Sequence, residues 1–105
     1  MSSLAIEIDK EKLRDFCQRW KITEFSLFGS VTRPEVFGAD SDVDVLARFA
    51  PDAPWSLFDW VHMEAELAAI FGRPVDLVER EMVEESSNRF RKRSILESAV
   101  ELDVA

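Results

Sequence analysis

Apolar positions at Leu13, Phe16, Cys17 and Trp20 recur at helical spacing behind Asp9, a good N-cap, with Glu11 in the first turn. They predict an amphipathic helix of about three turns. Lys21 to Glu24 then leads into a short apolar run, Phe25 to Phe28, which stops at Gly29 as a buried strand ending in a turn does. After Pro34, Gly38 and Ser41 the chain reads as extended again through Asp42-Val43-Asp44-Val45-Leu46. Asp52, Ala53 and Pro54 make a turn, and Ser56 caps a second helix. Its face is read as Leu57, Trp60, Val61, Ala65, Ala68 and Phe71. Gly72 and Pro74 end that helix. Val75 to Val78 is a third strand. A last helix is expected from about Glu84–Ser87 to about Leu102, burying Phe90, Ile95, Leu96, Ala99 and Val100. The order helix, strand, strand, helix, strand, helix predicts an α+β fold, a small mixed sheet packed against helices.

Composition narrows the class. A chain of 105 residues, 47% hydrophobic and 10% aromatic, reads as a single folded domain over 1–105. No apolar run reaches membrane-spanning length, and the acidic N-terminus does not read as a leader, so no membrane partner and a cytoplasmic location are expected. Cys17 is the single cysteine, which suits a reducing compartment, and Phe16 and Trp20 beside it suggest a packed thiol. His62, the single histidine, falls out of phase with the second helix's apolar face and reads as a surface residue; a His-rich metal site is excluded. The net charge of −8 argues against a long nucleic acid as ligand, because phosphate binding asks for a basic face. Basic residues gather only at Arg89, Arg91, Lys92 and Arg93, read as the solvated face of a helix.

Candidate chemistry concentrates between Phe25 and Phe49. Gly29 lets backbone approach a ligand closely, and Ser30 adds a hydroxyl and an N–H where a helix could begin, a common phosphate site. Asp42 and Asp44 share one face of a strand because side chains at i and i+2 do. Two carboxylates held together repel unless a cation lies between them, and Mg²⁺ takes a few carboxylates together with substrate phosphate oxygens. The plainer alternative is a solvated turn at Asp40, Ser41 and Asp42, with Asp44 at a strand edge. Asp76 interrupts an apolar strand, where an unpaired carboxylate costs several kcal/mol. A metal or a proton to abstract would compensate; a solvent-facing edge strand is the alternative.

The segment LFGSVTRPEVFGADSDVDVLARF resembles the signature of the minimal nucleotidyltransferases of the DNA polymerase beta-like superfamily: Gly-Ser, a spacer, Asp-x-Asp and a third Asp on a later strand. LFDWVHMEAELAAIFGRPVDLVE resembles the family's helix and third-carboxylate strand, and RKRSILESAVEL its closing helix, so the likeness spans Glu24 to Leu102. The eleven-residue spacer from Val31 to Ser41 is one longer than the usual one, and Pro34 follows Arg33 where many members have Gly. Insertions in loops are tolerated, but the departure bears on any phosphate contact of Thr32 and Arg33.

The resemblance implies a polymerase beta palm-like fold and nucleotidyl transfer from ATP with two Mg²⁺ ions. Asp42, Asp44 and Asp76 would be the catalytic and metal residues, and Gly29, Ser30 and Arg33 would bind the nucleotide. It also implies pairing with a helical HEPN-type partner, with AMP transferred to a hydroxyl of that partner, a tyrosine, so that the chain acts as an antitoxin. The chain has no tyrosine to label itself. Two alternatives stand beside this reading: a catalytically idle subunit that neutralises its partner by covering it, and transfer to a small hydroxylated molecule. A homo-oligomer stays open.

Overall fold

The computed structural model describes residues 8–33, 35–38, 41–53 and 55–104. Pro34, Asp40 and Pro54, named above in the spacer and turns, lie outside the described residues. Helix α1, Lys10–Arg19, begins where Asp9 accepts a hydrogen bond from the Lys12 N–H at 3.2 Å. It buries Leu13, Phe16 and Cys17, as their spacing predicts, and Trp20 closes it. Lys21 then turns the chain at φ 57°, a value unusual for a non-glycine residue. Strand β1, Ile22–Phe28, therefore starts three residues before the apolar run that announced it.

A 3₁₀ turn, Gly29–Thr32, and an irregular loop lead to β2, Val43–Phe49. Helix α2, Leu57–Phe71, opens with a capping box in which Ser56 and Asp59 satisfy each other's backbone N–H groups. Gly72, at φ 70°, is its left-handed C-cap. Strand β3, Val75–Glu79, runs directly into a short helix α3, Arg80–Glu84. Helix α4, Arg89–Ser98, is capped by Asn88 and followed by β4, Val100–Leu102.

The sheet order is β3-β2-β1-β4. β1 is antiparallel to both β2 and β4, while β2 and β3 are parallel, so the sheet is mixed as expected. One face, with Phe25, Leu27, Val43, Val45 and Ala47, packs on α1 and α2 in the larger core. The other carries a smaller core of Phe28, Leu46, Val83 and Ile95 under α3 and α4.

Three expectations need correction. The last helix does not reach Leu102; Ala99 turns extended (φ −66°, ψ 130°), and Val100 to Leu102 satisfies the open edge of β1. Free backbone groups along a strand outweigh the helical pattern there. Phe90 is exposed rather than buried, and among the last-helix candidates only Ile95 is fully buried. On α2 the buried residues are Met63, Leu67 and Phe71, with Trp60 and Ala68 half-buried; Leu57, Val61 and Ala65 face outward. That helix is apolar on more than one side, so its periodicity does not set its phase.

Candidate functional site

Strand pairing assembles the site. Phe28 is opposite Asp44 across β1 and β2, which puts Gly29, at the end of β1, beside the Asp44 carboxylate. Asp44 is in turn registered with Asp76 across the parallel pair β2 and β3. Asp42, expected on the strand with Asp44, stands instead immediately before β2, exposed, at the exit of the loop. The three aspartates singled out from sequence thus meet at one end of the sheet. Asp44 shares the face of Leu46, and Asp76 that of Val78, so both stand at the end of the smaller core. Asp76 lies on an edge strand and is exposed, so no buried-charge penalty holds it.

Asp44 is the half-buried member. Its carboxyl is held above the usual aspartate range, first by loss of water around it, then by the negative charges of Asp76 and Asp42. Gly29 has φ 73°, and a Cβ added there would stand 2.5 Å from Asp44 Oδ2. A glycine is needed twice over, for the left-handed backbone and for the room the carboxylate occupies.

The turn itself is braced from within. Thr32 Oγ1 donates to the Gly29 carbonyl at 2.7 Å, and the Arg33 N–H donates to the Ser30 carbonyl at 2.9 Å. The Gly29 N–H donates to Ser98 Oγ at 3.3 Å, while Ser98 Oγ donates to the Ile95 carbonyl at 3.2 Å. Of the phosphate-binding groups expected at this turn, the Gly29 amide therefore already has a partner. Ser30 is half-buried, and Arg33 is exposed at the end of the turn.

Two residues that sequence reasoning passed over hold the site together. Ser98 ties the end of α4 to Gly29. Arg73 Nη1 donates to the Gly38 carbonyl at 2.7 Å and the Ser41 carbonyl at 3.3 Å, and its guanidinium lies 4.3 Å over the Phe37 ring. With the Val43 N–H donating to the Pro74 carbonyl at 3.0 Å, the loop before Asp42 is fastened to the connection before Asp76. A basic residue beside Gly72 was a sequence signal, but only the fold supplies the carbonyls it meets.

Among the described residues no group of three or more His, Cys, Asp or Glu side chains is arranged to hold a metal ion by itself. The donor chemistry still suits Mg²⁺, which binds through one or two carboxylates while keeping waters and substrate phosphate oxygens. Asp44, crowded by two like charges beside a glycine turn, suits a cation. No helix among the described residues is long and apolar enough to cross a membrane.

A family model for the nucleotidyltransferase domain matches residues 9–102. A solved structure provisionally described as a minimal nucleotidyltransferase is 28% identical over 89% of this chain and 88% of that one, with a TM-score of 0.66. A toxin–antitoxin with AMP-PNP is 18% identical over 90% of this chain and 72% of that one, also at 0.66. The toxin–antitoxin MntA–HepT is 17% identical over 88% and 67%, at 0.57. No curated protein matches the chain.

Proposed function

The chain belongs to the nucleotidyltransferase domain family, and we propose that it transfers AMP from ATP to a hydroxyl of a protein partner, acting as the antitoxin of a toxin–antitoxin pair. The observation that carries this reading is the register of Asp44 with Asp76 beside the left-handed Gly29. It supports a phosphate turn and a carboxylate cluster acting on one ligand. A structural neighbour is a toxin–antitoxin with AMP-PNP, which supports both an adenine nucleotide and a protein partner.

Asp42, Asp44 and Asp76 would hold two Mg²⁺ ions. When bound, these neutralise the triphosphate and stabilise charge developing at the α-phosphorus. Ser30 would hold the β- and γ-phosphates through its N–H and hydroxyl, with Gly29 giving the close approach and Arg33 adding positive charge. Asp76 would accept the proton of the attacking hydroxyl. A bond forms from that oxygen to the α-phosphorus, the bond to the bridging oxygen breaks, and pyrophosphate leaves with the electron pair. The acceptor comes from outside, because the chain holds no tyrosine, and a net charge of −8 disfavours RNA or DNA. A tyrosine of a HEPN-type helical partner is the acceptor this reading names.

Two observations favour a second reading. Asp76 is exposed on an edge strand and the Gly29 amide is already taken by Ser98 Oγ, as an idle site that neutralises its partner by contact alone would allow. Mixing the chain with a HEPN-type partner, ATP and Mg²⁺ and weighing the partner by intact mass separates the two. A gain of AMP that disappears in Asp42→Asn/Asp44→Asn is expected. Neutralisation without mass change, equally strong in that variant, would assign the chain to the second reading.

A further inference from the structure

The outward side of α2 carries Leu57 and Val61 with 80% and 56% of their surface exposed, and Met82 on α3 is 68% exposed. Leu57 and Met82 line one groove of about 600 Å³ bounded by α2, β3, α3 and α4, together with Trp60 and Ile95. A single exposed leucine needs no explanation, but an apolar groove with large side chains at its rim marks an interaction site. Val61 is exposed one turn along α2 from Leu57, so the apolar surface extends past the groove and suits a large occupant better than a small ligand. The outward N–H of Leu77 on β3 already donates to Glu64 Oε2 at 2.9 Å, which disfavours an added strand.

Charge selects the occupant. Arg91 and Lys92 line the groove, Arg89 is exposed on the same helix, and none has a carboxylate partner among the described residues. Glu79 lines the same groove, and Glu81 and Glu85, exposed, adjoin the lining residues Met82 and Ser86 in sequence, all three without an ion-pair partner among the described residues. A purely acidic partner would satisfy the cations and oppose the acids, and a purely basic one the reverse. A second copy satisfies both.

We propose that this face is a two-fold interface between two copies of the chain. In an isologous contact the same patch meets itself. The cations of α4 in one copy would then lie against the acids around α3 in the other, while the two apolar grooves close on each other. Elsewhere the net charge of −8 sets copies against one another. Asp44 and Asp76 do not line the groove.

Sedimentation equilibrium of the full chain, at constant salt over a wide concentration range, tests this without nucleotide or partner. A dimer is expected. Leu57→Asp/Met82→Asp should give a monomer with an unchanged far-ultraviolet spectrum, since both side chains are exposed. Arg91→Glu/Lys92→Glu should weaken the dimer by about tenfold or more, and adding Glu81→Lys/Glu85→Lys to that chain should restore it. A wild-type monomer at every concentration overturns the proposal, as does a dimer indifferent to both pairs of substitutions. A monomer that binds a different protein through Leu57 assigns the face to that protein and overturns it too.

Discussion

Asp44 and Gly29 show how one contact sets the character of the site. The left-handed turn and the missing Cβ let a carboxylate rest against backbone. Burial and two neighbouring acids then make that carboxylate costly to ionise. Asp44→Asn removes one like charge while keeping shape, so the metal-free protein should gain stability, seen as a melting temperature a few degrees higher in chelator. A clear loss of stability would mean the carboxylate holds the fold rather than a ligand. These residues stood out in the sequence because their signal is local: a glycine closing an apolar run, acids two apart at the start of a strand, an acid breaking Val-x-Leu-Val. Ser98 and Arg73 were not, because the groups they meet are 69 and 35 residues away in the chain. No pattern along the chain reports such a contact.

At the level of elements, the buried face of α1 was legible and that of α2 was not. The α1 stripe was read correctly because it has a single apolar face, whereas α2 offers two and the sheet took Met63, Leu67 and Phe71. The helix-like sequence before Leu102 yielded to the open edge of β1, a demand that no local propensity encodes. Polar contacts fasten α1 to α2: Arg19 pairs with Asp15 and Glu66, and the Trp20 indole N–H donates to Glu66 at 3.3 Å. Arg19, first among the causes, holds the Glu66 carboxyl below the usual glutamate range. A carboxylate lowered on folding adds stability above its unfolded value, which is lost as pH falls through the folded one. Stability of the wild type should therefore drop on acidification below about pH 4.5, the ordinary glutamate value. Glu66→Gln should flatten that part of the profile, with a loss at neutral pH of about 1 kcal/mol or less because the pair is partly exposed. Urea melts of both proteins across acidic pH would measure it, and parallel profiles would mean that Glu66 contributes nothing to α1–α2 docking.

Across the whole molecule, the acid cluster is a repulsion built into the fold that a cation and a triphosphate together can relieve. A ligand that binds only the folded chain stabilises it by mass action, about 2.7 kcal/mol at a concentration 100 times its dissociation constant. For a chain of 105 residues this corresponds to a rise in melting temperature of roughly 10 °C. ATP with Mg²⁺ should produce such a rise, and ATP in chelator should produce little, because the triphosphate would then meet Asp42, Asp44 and Asp76 with like charge unneutralised. Mg²⁺ alone should act weakly, since without the triphosphate it lacks the phosphate oxygens that complete its coordination. Protein concentration must be held constant, because a two-fold contact would itself make melting concentration-dependent. Asp42→Asn/Asp44→Asn should lose the joint effect of ATP and Mg²⁺ while keeping the apo fold. If ATP with Mg²⁺ raises that variant's melting temperature as far as the wild type's, the nucleotide binds elsewhere, and the glycine turn with its aspartates is not the site.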